Sequence, residues 1–266
     1  MAVKDKNIPE KEDQAAPYDE FALIYDLFME HVPYEAWARY LLSAAGEHFG
    51  RIPVRVCDLA CGTGKMLFYL RPHVQKITGV DISPAMLLKA HELLGRDVPL
   101  FQAKLQGPLP YRASSFDWIV CMHDSLNYLI EKNDLKAHFA EVSRLLRTGG
   151  LYSTDIVSLY NIVHFFDGKT EVHRIRGKKI KWSNEYSKKN KILVSRLDFI
   201  ESGRKKSEFH YQRYYTEKEV IEAAGHAGLT FLHSHADYTE KNPGKRDVLI
   251  NLHFTKSKTA SVRTEG

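Results

Sequence analysis

The sequence predicts an α/β fold: a parallel sheet with helical crossovers, interrupted late in the chain by an antiparallel β insertion. Three observations carry this. Val54–Gly64 runs from short apolar residues through an acid into a small-residue loop, and Lys65–Leu70 then reads as a helix. Strand and helix patterns keep alternating as far as Val157, which predicts parallel strands joined by right-handed crossovers. From about residue 171 to 215 apolar and polar residues alternate with period two instead.

Bulk properties narrow the function classes. The chain has 266 residues and 44% hydrophobic content, which suits one domain with an insertion and a sizeable core. A net charge of +5 is mild and does not by itself imply nucleic acid. Cys57, Cys61 and Cys121 are an odd number without a Cys-x-x-Cys pair, so buried free thiols are expected. No apolar run is long enough to span a membrane and the first residues lack an apolar signal core, so a cytoplasmic location is expected.

Taken in order, residues 1–16 are charged and apolar-poor and are expected to form a disordered tail. Phe21, Ile24, Tyr25 and Phe28 recur at helical spacing, as do Tyr34, Trp37, Leu41 and Leu42 after Pro33. Lys76–Asp81 reads as the second strand, ending in an acid. Ser83 and Pro84 then open a helix as N-cap and first helical residue. Asp81 stands where a nucleoside-binding fold places the acceptor for both ribose hydroxyls, and a carboxylate can take two hydrogen bonds. Ile82 and Met86 could flank an adenine or simply pack. Val98–Gln102 is a candidate third strand and Phe116–Cys121 a strongly apolar fourth. The exit of that strand, Met122 to Leu129, is where ligands bind in open α/β sheets. A helix is expected from Asn133, as N-cap, to Leu146, with Gly149 and Gly150 ending it before a fifth strand, Leu151–Val157.

In the insertion, Ile180, Trp182 and Tyr186 form one alternating set and Phe209, Tyr211, Arg213 and Tyr215 another. Gly177, Lys188–Asn190 and Gly203 mark its turns. His210 and Gln212 fall on one strand face and Arg213 on the other. Thr216–Glu219 is a capping box, and two last strands, Leu229–Leu232 and Asp247–Phe254, should pair as a hairpin at a sheet edge. The expected organisation is a core of 17–157 and 216–255, an insertion of 158–215 serving as lid or dimer surface, and a tail of 256–266. His233 and His235 are too sparse for a metal site, and no metal is expected.

The loop Asp58-x-Ala60-x-Gly62-x-Gly64 resembles the first motif of S-adenosylmethionine-dependent methyltransferases with the Rossmann-like fold, acid-x-Gly-x-Gly-x-Gly, with alanine for one glycine. Competing motifs fail on particular residues. A phosphate-binding P-loop needs Gly where Leu59 stands and Ser or Thr where Met66 stands. A dinucleotide fingerprint needs a small residue where Leu67 stands. The resemblance implies a seven-stranded, mostly parallel sheet with helices on both faces and an antiparallel last strand. It also implies that Asp58, Ala60, Gly62 and Gly64 hold the methionine part of the cofactor and Asp81 its ribose. Ile82 and Met86 would flank its adenine, and Met122 lies where the family faces the methyl group.

The family's acid near the adenine amino group is missing, and Gln102, Ala103 or backbone groups are the candidates to replace it. Tyr18 and Tyr25 resemble tyrosines of an N-terminal cover that contact the cofactor's carboxylate or the substrate; helix packing is the alternative. The Asp124–Leu129 run, with its Ser-Leu-Asn-Tyr-Leu, and the Glu208–Tyr215 run both resemble a bacterial small-molecule methyltransferase group. The function implied is methyl transfer to a nitrogen or oxygen of a small molecule, mainly by proximity and desolvation. His123 is the first candidate base and His210 the second. An RNA acceptor using the basic insertion and a non-catalytic S-adenosylmethionine-binding protein are the alternatives. Neither a nucleic-acid nor a membrane partner is expected; a homodimer is open.

Overall fold

The computed structural model describes residues 20–201 and 204–257. Tyr18, Gly203, the expected tail at 1–16 and the end of the chain from 258 lie outside the described residues.

Seven strands form the main sheet: β1 Arg55–Leu59, β2 Lys76–Asp81, β3 Leu100–Gln102, β4 Phe116–Cys121, β5 Leu146–Val157, β10 Leu229–Ala236 and β11 Leu249–Lys256. Their spatial order is β10-β11-β5-β4-β1-β2-β3. β3, β2, β1, β4 and β5 run parallel, and β11 is antiparallel to both its neighbours. The carboxyl ends of β1 and β4 therefore lie side by side at the middle of the sheet, where an α/β fold leaves its crevice.

Alternation along the central strands feeds two apolar cores. Val56, Trp118 and Val120 meet the helices α2 Tyr34–Phe49, α3 Lys65–Leu70 and α4 Pro84–Leu94. Cys57, Leu59, Ile119 and Cys121 meet α5 Lys132–Leu145 and α7 Glu217–His226 on the opposite face. These strands are buried on both faces, which is why they read as largely apolar runs, broken by Asp58 and Asp117. All three cysteines are buried and unpaired. The Ser83 cap and the Thr216–Glu219 capping box form as expected.

Several boundaries differ from the sequence reading. α5 begins at Lys132 with Glu131 before it, so Asn133 is inside the helix and is not its N-cap. Gly149 and Gly150 do not end that helix: β5 already starts at Leu146, opposite Phe116, and the pairing shifts register before Leu151 meets Trp118. Gly150 is used for close approach, since a Cβ there would lie 2.9 Å from the Asp117 carbonyl oxygen, and Gly149 takes a positive φ of 77°. The expected tail from 256 begins within β11, where the Lys256 ammonium donates to the Ser143 and Leu146 carbonyls at 2.6 and 3.0 Å.

Between β5 and α7 lies a second sheet of four antiparallel strands, β6 Thr170–Ile175, β7 Lys178–Ser187, β8 Ile192–Glu201 and β9 Arg204–Arg213. Its inner face carries Ile180, Leu197 and Phe199, which form a third core with Phe21 and Ile24. Phe21 and Ile24 belong to a short covering segment that continues into α1 Tyr25–Phe28. Asn127, fully buried, ties this sheet to the main one. Its amide donates to the Arg213 carbonyl at 2.7 Å and accepts from the Val157 N–H at 3.0 Å.

Candidate active site

One cavity opens at the carboxyl ends of β1, β2 and β4. Tyr25, Asp58, Ala60, Gly62, Asp81, Ile82, Met86, Ala103, Met122 and His123 line it, all of them singled out from the sequence. Tyr34, Thr63, Lys65, Leu105 and Gln106 line it too and were not, while Ser125 and Tyr128 come from the strand exit that the sequence pointed to.

The loop after β1 is shaped by backbone geometry. Ala60, Gly62 and Gly64 all take positive φ, at 59°, 54° and 82°. Ala60 holds this conformation despite its Cβ, at a cost of about 1 kcal/mol. A Cβ on Gly62 would meet nothing within 4 Å, so the open side of the loop there faces free space. Gly64 does not reach the cavity. It sits under α4, where a Cβ would come within 2.9 Å of Leu94 and 3.1 Å of Ala90. That glycine serves helix packing rather than ligand contact.

The two acids of this half are held differently. Asp81 accepts the Gly62 N–H at 2.8 Å and the Ser83 N–H at 2.9 Å, one on each oxygen, so its carboxylate is fixed between the loop and the start of α4. Each oxygen keeps a lone pair for a further donor. Asp58 is equally buried, but its Oδ2 has no hydrogen-bond partner among the described residues. Burial, with the nearby Asp81 charge behind it, pushes the Asp58 carboxyl well above its usual range. A buried carboxylate oxygen lining a cavity without a partner fits a ligand that brings a cation.

Gln102 is a correction. Its side chain is exposed at the edge strand, and its amide donates to the Ile82 carbonyl at 3.1 Å instead of entering the cavity. The short β3 ends too early to aim it inward. Ala103, Leu105 and Gln106, in the loop that follows, occupy that wall.

The other half gathers distant segments. His123 and Asp124 both have positive φ, which turns the chain sharply as it leaves β4. Buried Asp155 on β5 stabilises that turn: its Oδ2 accepts the His123 N–H at 2.9 Å, its Oδ1 the Asp124 N–H at 2.6 Å, and the Tyr238 hydroxyl also donates to it. Burial raises Asp155 to about 6 and, with the Asp155 charge adding to it, Asp124 to about 7. The His123 Nδ1 lies 3.3 Å from the Tyr25 hydroxyl and 3.2 Å from the Tyr34 hydroxyl. Burial lowers His123 to about 4, so the ring is neutral at pH 7. The covering segment is tied to the loop by Asp26, which accepts the Thr63 hydroxyl at 2.7 Å and lies 3.8 Å from the Lys65 ammonium. His210 does not line the cavity; it stands one side chain behind it, with Nδ1 3.3 Å from the Tyr128 hydroxyl.

A crevice at the strand ends with two acids, a small-residue loop and an enclosed polar far end is the build of a nucleoside-cofactor enzyme. A family model described as a methyltransferase domain matches residues 56–150. YqeM of Bacillus subtilis (strain 168), which carries a provisional methyltransferase name, is 28% identical over 247 residues, 91% of this chain and 98% of that one. The crystal structure of an S-adenosylmethionine-dependent methyltransferase from Clostridium acetobutylicum ATCC 824 superposes with TM-score 0.78 at 27% identity, covering 91% of this chain and 99% of that one. The sugar N-methyltransferase KedS8 from Streptoalloteichus sp ATCC 53650 shares the fold, with TM-score 0.71 at 21% identity over 97% and 99% of the chains. Together these matches support an S-adenosylmethionine-dependent methyltransferase with a Rossmann-like fold. Asp58, with its unpartnered buried oxygen, and the open side of Gly62 fit that cofactor.

Proposed function

We propose that the protein methylates a nitrogen or oxygen of a small molecule. The observation that carries this reading is the continuity of the cavity. The strand-end acids Asp58 and Asp81 and the far-end groups Tyr25, Tyr34, His123, Ser125 and Tyr128 line one space. KedS8, which shares the fold, is named as a sugar N-methyltransferase, in keeping with a small acceptor.

In this reading Asp58 takes the cofactor's ammonium, Asp81 its ribose hydroxyls, and Ile82, Met86 and Ala103 its adenine. Ala60 and Gly62 let the backbone approach the methionine part, and Met122 faces the methyl group. The cofactor supplies a sulfonium-activated methyl group. The chain's own contribution is to exclude water and hold an acceptor in line. The cover bearing Tyr25 closes the site, Asp155 fixes the turn that presents His123, and neutral His123 positions the Tyr25 and Tyr34 hydroxyls. No strong base is required where the acceptor already has a free lone pair.

The test is incubation with methyl-labelled S-adenosylmethionine and a pool of amines, amino sugars and phenols, with RNA as a parallel arm. Label is expected in a small molecule. Label in RNA alone would overturn the reading.

A further inference from the structure

Tyr128 does not end the chain of polar contacts that begins in the cavity. Its hydroxyl lies 3.3 Å from His210 Nδ1, and His210 Nε2 lies 3.6 Å from Glu208 Oε2. His210 is 4% exposed and Glu208 is fully buried. Strand alternation in β9 puts the two on one face, with Phe209 between them turned away. Glu208 is anchored from its other oxygen: Oε1 accepts the backbone N–H groups of Glu20 and Phe21, the latter at 3.1 Å. Oε2 accepts no hydrogen bond among the described residues. A carboxylate oxygen buried in that state is costly unless a positive or N–H-bearing group comes to it. The imidazole of His210 is placed to be that group.

His123 offers a contrast. It lines the cavity, but its ring is packed against Tyr34 and Trp37 and its Nδ1 faces two tyrosine hydroxyls. Asp155 reaches its backbone N–H and not its ring. Among the described residues no carboxylate pairs with the His123 imidazole, so a second proton there would be poorly held. A base needs an oriented partner that stabilises its charged form, and His210 has one.

Resting on the methyl-transfer reading above, we propose that Tyr128, His210 and Glu208 form the route by which the acceptor's proton leaves. Tyr128 touches the acceptor; His210 and Glu208 act through it. The acceptor's lone pair forms the bond to the methyl carbon, and the electron pair of the broken carbon–sulfur bond stays on sulfur. The proton released from the acceptor nitrogen or oxygen passes to the Tyr128 oxygen as the phenol's own proton passes to His210 Nδ1. Glu208 holds the imidazolium until the proton returns to solvent after product release. This route requires one tautomer at rest: Nδ1 bare toward Tyr128, hydrogen on Nε2 toward Glu208.

Long-range proton–nitrogen correlation spectra of histidine-labelled protein read that tautomer without any acceptor, with His210→Gln assigning the signal. The Nε2–H form is expected in the wild type, with its preference lost in Glu208→Gln. The glutamine oxygen can still accept from Glu20 and Phe21, so the variant should fold, and its thermal midpoint checks this. With the acceptor returned by the labelling screen, Glu208→Gln should lower kcat at least ~10-fold and leave KM unchanged, and Tyr128→Phe should lower kcat at least as much, both with S-adenosylmethionine affinity unchanged. An Nδ1–H tautomer at His210, or an unchanged kcat in both variants, would overturn the route. A screen that returns no acceptor counts against the small-molecule reading, and the tautomer still decides the route.

Discussion

The two halves of the cavity are built by opposite means. The half proposed for the cofactor comes mostly from one stretch of chain, Asp58 to Met86, with Ala103 beyond it, and backbone N–H groups fix the Asp81 carboxylate there. The acceptor half is assembled from α1, α2, the turn after β4, and, behind it, β5 and β9, and its geometry rests on side-chain pairs. The difference teaches that a half set by local backbone can be read from a motif, whereas a half set by distant side chains has no local signature.

The contrast is sharpest between the two strand-end acids, and the expected effect of substitution separates them. Asp58→Asn removes the charge from an oxygen that has no hydrogen-bond partner among the described residues. Cofactor affinity should fall by about 2–3 kcal/mol, roughly 30- to 150-fold, the value of a hydrogen bond to a charged group. The thermal midpoint of the free protein should rise, because a buried carboxylate held above its usual range destabilises the ligand-free fold at neutral pH. Calorimetry and thermal melts read the two together; a fall in both would make Asp58 a structural acid.

Asp81→Ala should behave otherwise. It strands the N–H groups of Gly62 and Ser83, so affinity and stability should both fall, each by about 1–3 kcal/mol. Unchanged affinity in a folded Asp81→Ala protein would remove its ribose role.

The last expected effect depends on pH. Burial lowers His123 and His138 to about 4 and His253 to about 3, from an ordinary 6.5. As pH falls below 6.5 the unfolded chain takes up protons that the folded chain refuses, so their contribution to stability is lost with acid. Asp124, raised from 3.8 to about 7, works in the reverse direction: the folded state takes its proton first, so acid adds stability between those values. Asp124→Asn should therefore melt higher at pH 7.5 and lose stability more steeply between pH 6.5 and 4. The asparagine oxygen can keep the Gln212 contact, which is 2.6 Å in the wild type. A parallel pH curve for the variant would show that Asp124 does not titrate in this window.

The fold was legible wherever period and punctuation agreed. Strand β4 is buried at every position and reads as an apolar run broken only by Asp117, and Ser83-Pro84 announces α4 with the cap that forms. Legibility failed where tertiary contact overrides local signals. Gly149 and Gly150 look like a helix stop, yet they lie within β5, because Gly150 packs against the Asp117 carbonyl. Gln102 looked like an adenine contact from its position after a strand, but β3 is three residues long and leaves it outside. Tyr34 read as packing from its helical spacing; that its hydroxyl reaches His123, 89 residues away, depends on how α2 crosses the end of β4. Glu208 and Tyr128 carried no signal beyond their place in two runs 80 residues apart.

The most direct test of the account is calorimetric titration of the free protein with S-adenosylmethionine and S-adenosylhomocysteine, beside NADH. Micromolar binding of the first two and none of the third is the result expected of a cradle made by Asp58, Gly62 and Asp81. No binding of either sulfur compound by the folded protein would contradict it, and would mean that Ala60 in the loop, or the wall beyond β3, has closed the site.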